Sequence, residues 1–228
     1  IPDSINSIGN CTFEGCIALK SISMSKHVVQ IGCFAFHGCT ELDTITIPRS
    51  VNSIGEGAFE DCTSLAKIII PFSVTNIEDS LFKGCKKLKE VTIENGVTKI
   101  GNCVFENCEI LDKIIIPCSI ASIGHSTFKG CPLLKEISMP SSLTSIGLDS
   151  FEGCVELTIN GDIKKIPKNS FKNCKSLKKI VISSPTETIG KSAFEGCAEE
   201  IEISIPSSIK TIKKNAFLGI KTLTVTGN

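Results

Sequence analysis

Thirteen cysteines and three histidines stand out as residues that could do chemistry in this chain of 228 residues. Thiols act as nucleophiles, as zinc ligands or as disulfide partners, and each use demands its own spacing. Nine of the cysteines (Cys16, Cys39, Cys62, Cys85, Cys108, Cys131, Cys154, Cys174 and Cys197) recur at intervals of 23 residues, with one interval of 20. The nearest pairs elsewhere, Cys11 with Cys16 and Cys103 with Cys108, are five apart, which is no zinc-knuckle spacing. If the recurring thiols stack rung on rung, neighbours sit about 4.8 Å apart. That exceeds the ~3.5–4.5 Å between the Cβ atoms of a disulfide. Cysteine so placed is a small buried hydrophobe with a weak donor. The expectation is reduced core thiols, with no metal site and no bridges, which suits a reducing or anaerobic setting. His27, His37 and His125 fall at three different points of the period, so stacking does not bring them together, and each reads as a surface residue. There is no nucleophile–base motif and no phosphate loop, so no enzyme activity and no cofactor are expected.

The elements that position the cysteines come from one unit, shown by Ile47 to Ile69. Copies start near residues 1, 24, 47, 70, 93, 116, 139, 159, 182 and 205, the one from Met139 being three residues short at Val155–Thr158. The expected domain is therefore single, 1–228. Position thirteen is always Phe (Phe13 through Phe217), position eight always Ile (Ile8 through Ile212), and position nineteen usually Leu. Such a unit cannot bury its apolar face alone, whereas stacked copies bury a continuous one. Position fifteen holds only Gly, Asn or Asp, so a positive φ is expected there, closing a short helical turn over positions ten to fourteen. Positions twenty to twenty-four read as a short strand, for example Lys67–Ile70, Glu90–Ile93, 113–116 and Lys179–Ile182, often stopped by Pro. A second short strand is expected near Val51 to Ile54.

Lys plus Arg equals Asp plus Glu at 24 each, so net charge provides no long-range attraction to nucleic acid or to an acidic membrane. Tyr and Trp are absent, which further disfavours base stacking. No apolar run has the length of a membrane-spanning helix, so no direct membrane insertion is expected. The start in register at Ile1, with no initiator Met, signal peptide or polar cap, reads as a segment of a longer protein. Asn10-Cys-Thr12 is the sole glycosylation sequon.

The pattern Leu-x-x-Ile-x-Ile-Pro-x-x-Val-x-x-Ile-Gly-x-x-Ala-Phe-x-x-Cys-x-x-Leu closely resembles the BspA-like leucine-rich repeat, the 23-residue class also called the Treponema pallidum type. The resemblance covers the full length. Thr186 and Glu200 depart from it, standing where Val and Leu are expected, and the Gly and Cys at positions fifteen and sixteen look most like protozoan members. It implies an α/β class fold: a right-handed leucine-rich-repeat solenoid, a horseshoe or arc with a parallel sheet on its concave face and short helical or 3-10 turns and short strands elsewhere. It also implies a cell-surface or secreted protein that adheres to host-cell or matrix proteins. Free thiols and the missing signal sequence favour the alternative, a cytoplasmic scaffold for protein–protein interaction.

Solenoids bind through outward side chains of their strands, here positions twenty-one and twenty-three. Lys and Glu alternate at twenty-one from Lys67 to Glu136, and a solvated ladder of that kind contributes little by itself. Ile69 and Ile115 are apolar where neighbours are Thr or Ser, and Phe72 follows Pro71 at a usually polar place. The expected partner-binding patch is therefore Lys67, Ile69, Phe72, Glu90, Thr92, Lys113 and Ile115, facing a protein or a glycan.

Overall fold

A computed structural model describes residues 1–161, 163–182 and 185–227, with side chains described as far as residue 222. Two families of parallel strands run along it. Ser21–Ile22 pairs with Thr44–Ile45, and Lys67–Ile70 with Glu90–Ile93. Further on, Lys113–Ile115, Glu136–Ser138, Glu156–Asn160, Lys179–Ile182, Glu200–Ile205 and Thr222–Gly227 make one six-stranded sheet. The second family consists of two-residue strands, such as Ser53–Ile54 and Ser122–Ile123, in sheets of three, four and three. The strand expected over 113–116 stops at Ile115.

Between the two families lies a core of columns. Phe36, Phe59, Phe82, Phe105, Phe128, Phe151, Phe171 and Phe194 are fully buried, and Phe13 and Phe217 are partly buried. Their rings stack in one continuous file with centroids 4.9–5.8 Å apart and interplanar angles of 1–27°. Offset stacking adds about 0.5–1.5 kcal/mol per pair beyond the area buried. The cysteine column runs beside it. All thirteen thiols are free, and eight are buried, from Cys39 to Cys197.

The helical turn expected over positions ten to fourteen is not formed, and there is no helix among the described residues. Position fifteen does take positive φ in every copy, from Gly15 (φ 69°) to Gly219 (φ 89°). Position eleven takes it too, as in Cys11, Phe34, Asn169 and Asn215 (φ 54–61°). A left-handed residue inside the span expected to be helical stops the i→i−4 ladder from propagating. The backbone donors then alternate. Gly57, Phe59 and Asp61 donate to the carbonyls of Asp79, Leu81 and Lys83 in the next coil, at 3.0, 3.1 and 2.8 Å. Glu60 and Cys62 close three-residue turns onto Gly57 and Phe59, at 2.9 and 3.3 Å. Buried backbone is satisfied half along the solenoid axis and half within the coil.

Position nine brings successive coils into their closest approach. A Cβ on Gly124 would lie 2.4 Å from the Gly101 carbonyl carbon, and one on Gly55 2.4 Å from the Cys33 nitrogen. Where position nine is Glu78 or Pro167, the short-strand ladder is interrupted just before it, between Ser53–Ile54 and Asn76–Ile77 and between Ser145–Ile146 and Lys165–Ile166. Proline also lacks the N–H that would bridge the gap. Lys213 keeps its bond to Ile189 (2.9 Å), so a Cβ weakens the approach without always abolishing it.

The short copy is absorbed by a two-residue step in register. Ile137 pairs with Ile159, whereas Leu157 pairs with Ile180. A step of two keeps the same side chains facing the core, as a step of one would not. At the other departure from the pattern, Ile180 pairs with Ile203 and Lys179 with Glu202 at the regular offset.

Candidate functional site

The candidate face is built by the long strands, whose alternation sends Ile68 and Ile70 inward and Lys67 and Ile69 outward. Register sets Lys67 opposite Glu90 and Ile69 opposite Thr92. Lys113 and Ile115 occupy the same positions two coils on from Lys67 and Ile69, opposite Glu136 and Ser138. Ile69 and Ile115 are 56% and 60% exposed, more than an isolated strand residue requires, since each could be Thr like its neighbours.

The structure brings four of the seven expected residues together. Lys67, Ile69, Glu90 and Thr92 line one groove of about 550 Å³, walled by Thr44, Thr46 and Arg49. Lys113 and Ile115 lie outside that lining. Phe72 also lies outside it, beyond Pro71, and has structural partners of its own. The Arg49 guanidinium sits 5.8 Å from its ring centroid, a cation–π contact. Glu94 holds Arg49 at 3.1 Å and accepts the Phe72 N–H at 3.0 Å. Arg49 and Glu94 thus reach across the coil that carries Phe72 and close one wall of the groove.

The charge ladder is unevenly paired. Lys113 and Lys179 reach Glu136 and Glu202, each at 3.0 Å. Lys67 and Glu90 are in register yet form no ion pair, which leaves both heads available in the groove beside Ile69.

A second alternating ladder, at position fourteen, escaped the sequence reading. It includes Glu14–His37, Glu60–Lys83, Lys129–Glu152 and Lys172–Glu195, at 3.3, 3.1, 2.9 and 2.7 Å. The Lys172 hydrogen bond lowers the Glu195 pKa, and the Glu60 hydrogen bond raises that of Lys83. Reading position fourteen down the copies would have found it, because the sign alternates there as it does at twenty-one.

His37 does meet other titratable groups, through stacked carboxylates and not through the other histidines. His37, Glu60 and Asp61 offer ligand atoms within 4.8 Å of one another, the one such group among the described residues. Lys83 pairs with Glu60 and Glu14 Oε1 lies 3.3 Å from His37 Nδ1, so neighbouring side chains already occupy this surface cluster. His125 Nδ1 accepts the Leu148 N–H at 2.9 Å, a backbone-holding role. It continues a file in which Asn10, Asp79 and Asn102 each accept a backbone N–H from the next coil, at 2.8 Å.

Seven of the eight buried thiols, all but Cys174, donate to a Phe carbonyl of the preceding coil. Cys62, Cys85, Cys108 and Cys131 lie 3.1–3.4 Å from the Phe carbonyl oxygen of the preceding coil. Burial raises the pKa of Cys39 to about 11 and of Cys131 to about 12. Cys62, Cys85, Cys108 and Cys154 are pushed above the ordinary thiol value by the same cause. These are protonated side chains that pack, the opposite of an activated nucleophile.

Parallel strands, a fixed repeat and a phenylalanine file define a leucine-rich-repeat solenoid. The family described as BspA type leucine rich repeat region (6 copies) matches residues 1–112 and 104–224, and the chain belongs to that family. A leucine-rich repeat protein from Bacteroides ovatus ATCC 8483 is similar in structure, with a TM-score of 0.63 and 28% identity, covering 96% of this chain and 69% of its own. The leucine rich repeat protein of T. pallidum shares the fold at a TM-score of 0.54 and 24% identity, covering 84% of this chain and 80% of its own. A search of curated proteins finds no match in sequence. No helix of the described residues is long and apolar enough to cross a membrane.

Proposed function

We propose that this chain is a non-enzymatic recognition module, one domain of ten stacked copies, whose long-strand face takes a protein or glycan partner. In this reading it belongs to a cell-surface protein of the adhesin kind that binds host-cell or matrix proteins. The observation that carries it is the groove in which unpaired Lys67 and Glu90 flank the exposed Ile69. A mixed apolar and charged patch with free heads suits a protein surface, where the apolar centre contributes affinity and the charges fix orientation. Lys113 and Ile115 extend the patch along the next strand, while Phe72 supports the groove wall through Arg49.

The test is adhesion of the purified chain to host cells and to immobilised matrix proteins, against Lys67→Glu/Ile69→Glu. The double variant is expected to lose most of the adhesion while keeping its melting temperature. Full retention would remove this face from the proposal.

Thirteen free thiols favour a second reading, an intracellular scaffold. Antibody staining of intact against permeabilised cells separates the two: signal on intact cells supports the surface role, and signal only after permeabilisation supports the scaffold.

A further inference from the structure

The short-strand side carries a second groove, of about 790 Å³, lined by Lys99, Lys165, Lys168, Lys191 and Lys213 together with His125. Among the described residues no carboxylate lines it. All five lysines are exposed, and none forms an ion pair, whereas ten other lysines of the chain do. Lys191 contributes only the smallest part of the lowering of the Glu195 pKa and does not bridge to it. The same positions in earlier coils carry Glu56, Glu78 and Asp79. A net charge of zero therefore hides a side that is acidic towards one end and basic along the rest. A cleft lined by one sign of charge focuses its field on a ligand of the other sign.

The fold explains why the cleft is there. Pro167 interrupts the short-strand ladder, and the groove is lined from both sides of the interruption, by Ser145 to Leu148 and by Lys165 to Asn169. The Ile31, Ile77, Ile100 and Ile123 carbonyls each accept an N–H from the next coil, at 2.8–2.9 Å. Ile146 faces Pro167, which has no N–H to give, so among the described residues its carbonyl lacks that donor. Ser122, Thr144 and Ser145 add hydroxyls to the lining.

We propose that this groove binds a linear sulfated polysaccharide. The lysines would hold sulfate groups, and the Ile146 carbonyl and the serine and threonine hydroxyls would meet ring hydroxyls. From Lys99 to Lys213 the coils extend on the order of 24 Å, enough for a chain ligand lying along the solenoid. Among the described residues the one ring lining the groove is His125, whose Nδ1 is held by the Leu148 N–H, so there is no row of aromatic faces on which successive nucleic-acid bases could stack. Of the large apolar side chains lining it, Ile100, Ile123 and Ile146 are buried and Leu148 is exposed, so an acidic peptide would find a single apolar anchor. This side is separate from the long-strand groove and stands or falls independently of it.

The experiment uses a fluorescent heparin oligosaccharide, its desulfated counterpart and a single-stranded oligodeoxythymidine. Two groove variants are Lys165→Gln/Lys168→Gln/Lys191→Gln and Lys99→Gln/Lys213→Gln. Lys26→Gln/Lys87→Gln/Lys135→Gln makes the triple charge change elsewhere. The sulfated probe is expected to bind the parent chain and to weaken as salt rises. The groove triple should lose about tenfold or more in affinity and the control triple no more than about twofold, since focusing depends on where the charge sits. Any of four results overturns the proposal: no binding by the parent, equal losses in the two triples, equal binding of the desulfated probe, or tighter binding of the oligonucleotide. Sedimentation showing that the acidic end of a second copy fills the groove and excludes the probe would overturn it as well.

Discussion

The Cys85 thiol lies 3.1 Å from the carbonyl oxygen of Phe59, 26 residues earlier, and donates to it. The same oxygen accepts the Cys62 N–H at 3.3 Å. One carbonyl of the phenylalanine file thus receives a backbone donor from its own coil and a thiol from the next. This relationship recurs down the solenoid and ties the two columns together, which gives cysteine a role that valine or alanine at the same position would lack.

Phe105 sits in mid-file between Phe82 and Phe128, at 5.8 and 5.6 Å. Phe105→Ala is expected to cost about 3–5 kcal/mol, through lost transfer energy and a cavity the two stacked neighbours cannot close. Phe13, partly buried and stacked on one side only, should cost much less on the same change. Urea denaturation of both variants checks the contrast, and equal costs would contradict a continuous file.

Gly124→Ala places a methyl against the Gly101 carbonyl and the Asn102 nitrogen, both backbone and unable to rotate away. The expected cost is about 1–3 kcal/mol. Amide exchange should quicken at Gly124 and Gly147, whose N–H groups bond to Ile100 and Ile123. Gly15→Ala meets nothing within 4 Å and is strained only by its φ of 69°. It should therefore leave exchange in the neighbouring coil unchanged.

Stability should fall at alkaline pH. Burial raises Cys39 to about 11 and Cys131 to about 12, from an ordinary value of 9.0. Above that value the unfolded chain releases thiol protons that the folded chain retains. The stability contributed by thiol burial is thus full below about pH 9 and declines as pH rises through the window up to the folded values, by on the order of 1.4 kcal/mol per pH unit for each buried thiol. Denaturant midpoints across this range should show a steep slope, and Cys108→Ala/Cys131→Ala should make it shallower. A flat profile would mean the thiols are not buried in protonated form.

The columns were legible in the sequence because stacking turns a repeat position into a place in space. Phe at thirteen, Cys at sixteen and the left-handed residue at fifteen could be assigned that way. The turn was not, because its second left-handed position holds residues as unlike as Phe34, Gly57 and Asn215. There the hydrogen bonds to the next coil overrule side-chain preference. The patch was only partly legible. Lys67, Ile69, Glu90 and Thr92 share a strand face by simple alternation, whereas Phe72 lies past a proline, where alternation no longer says which way a side chain points. The basic groove was hidden by counting charge over the whole chain instead of along each column, and by the interruption at Pro167, which only the pairing of coils reveals.

Mass-spectrometric mapping of thiol labelling, in the native state and in denaturant, tests the stacked-column account most directly. In the native protein Cys11, Cys16 and Cys118 should label fast, and the eight buried cysteines from Cys39 to Cys197 should label only as the chain unfolds. All thirteen should react in denaturant without a reductant. Fast native labelling of the buried eight, or fewer than thirteen reactive thiols in the unfolded chain, would contradict it.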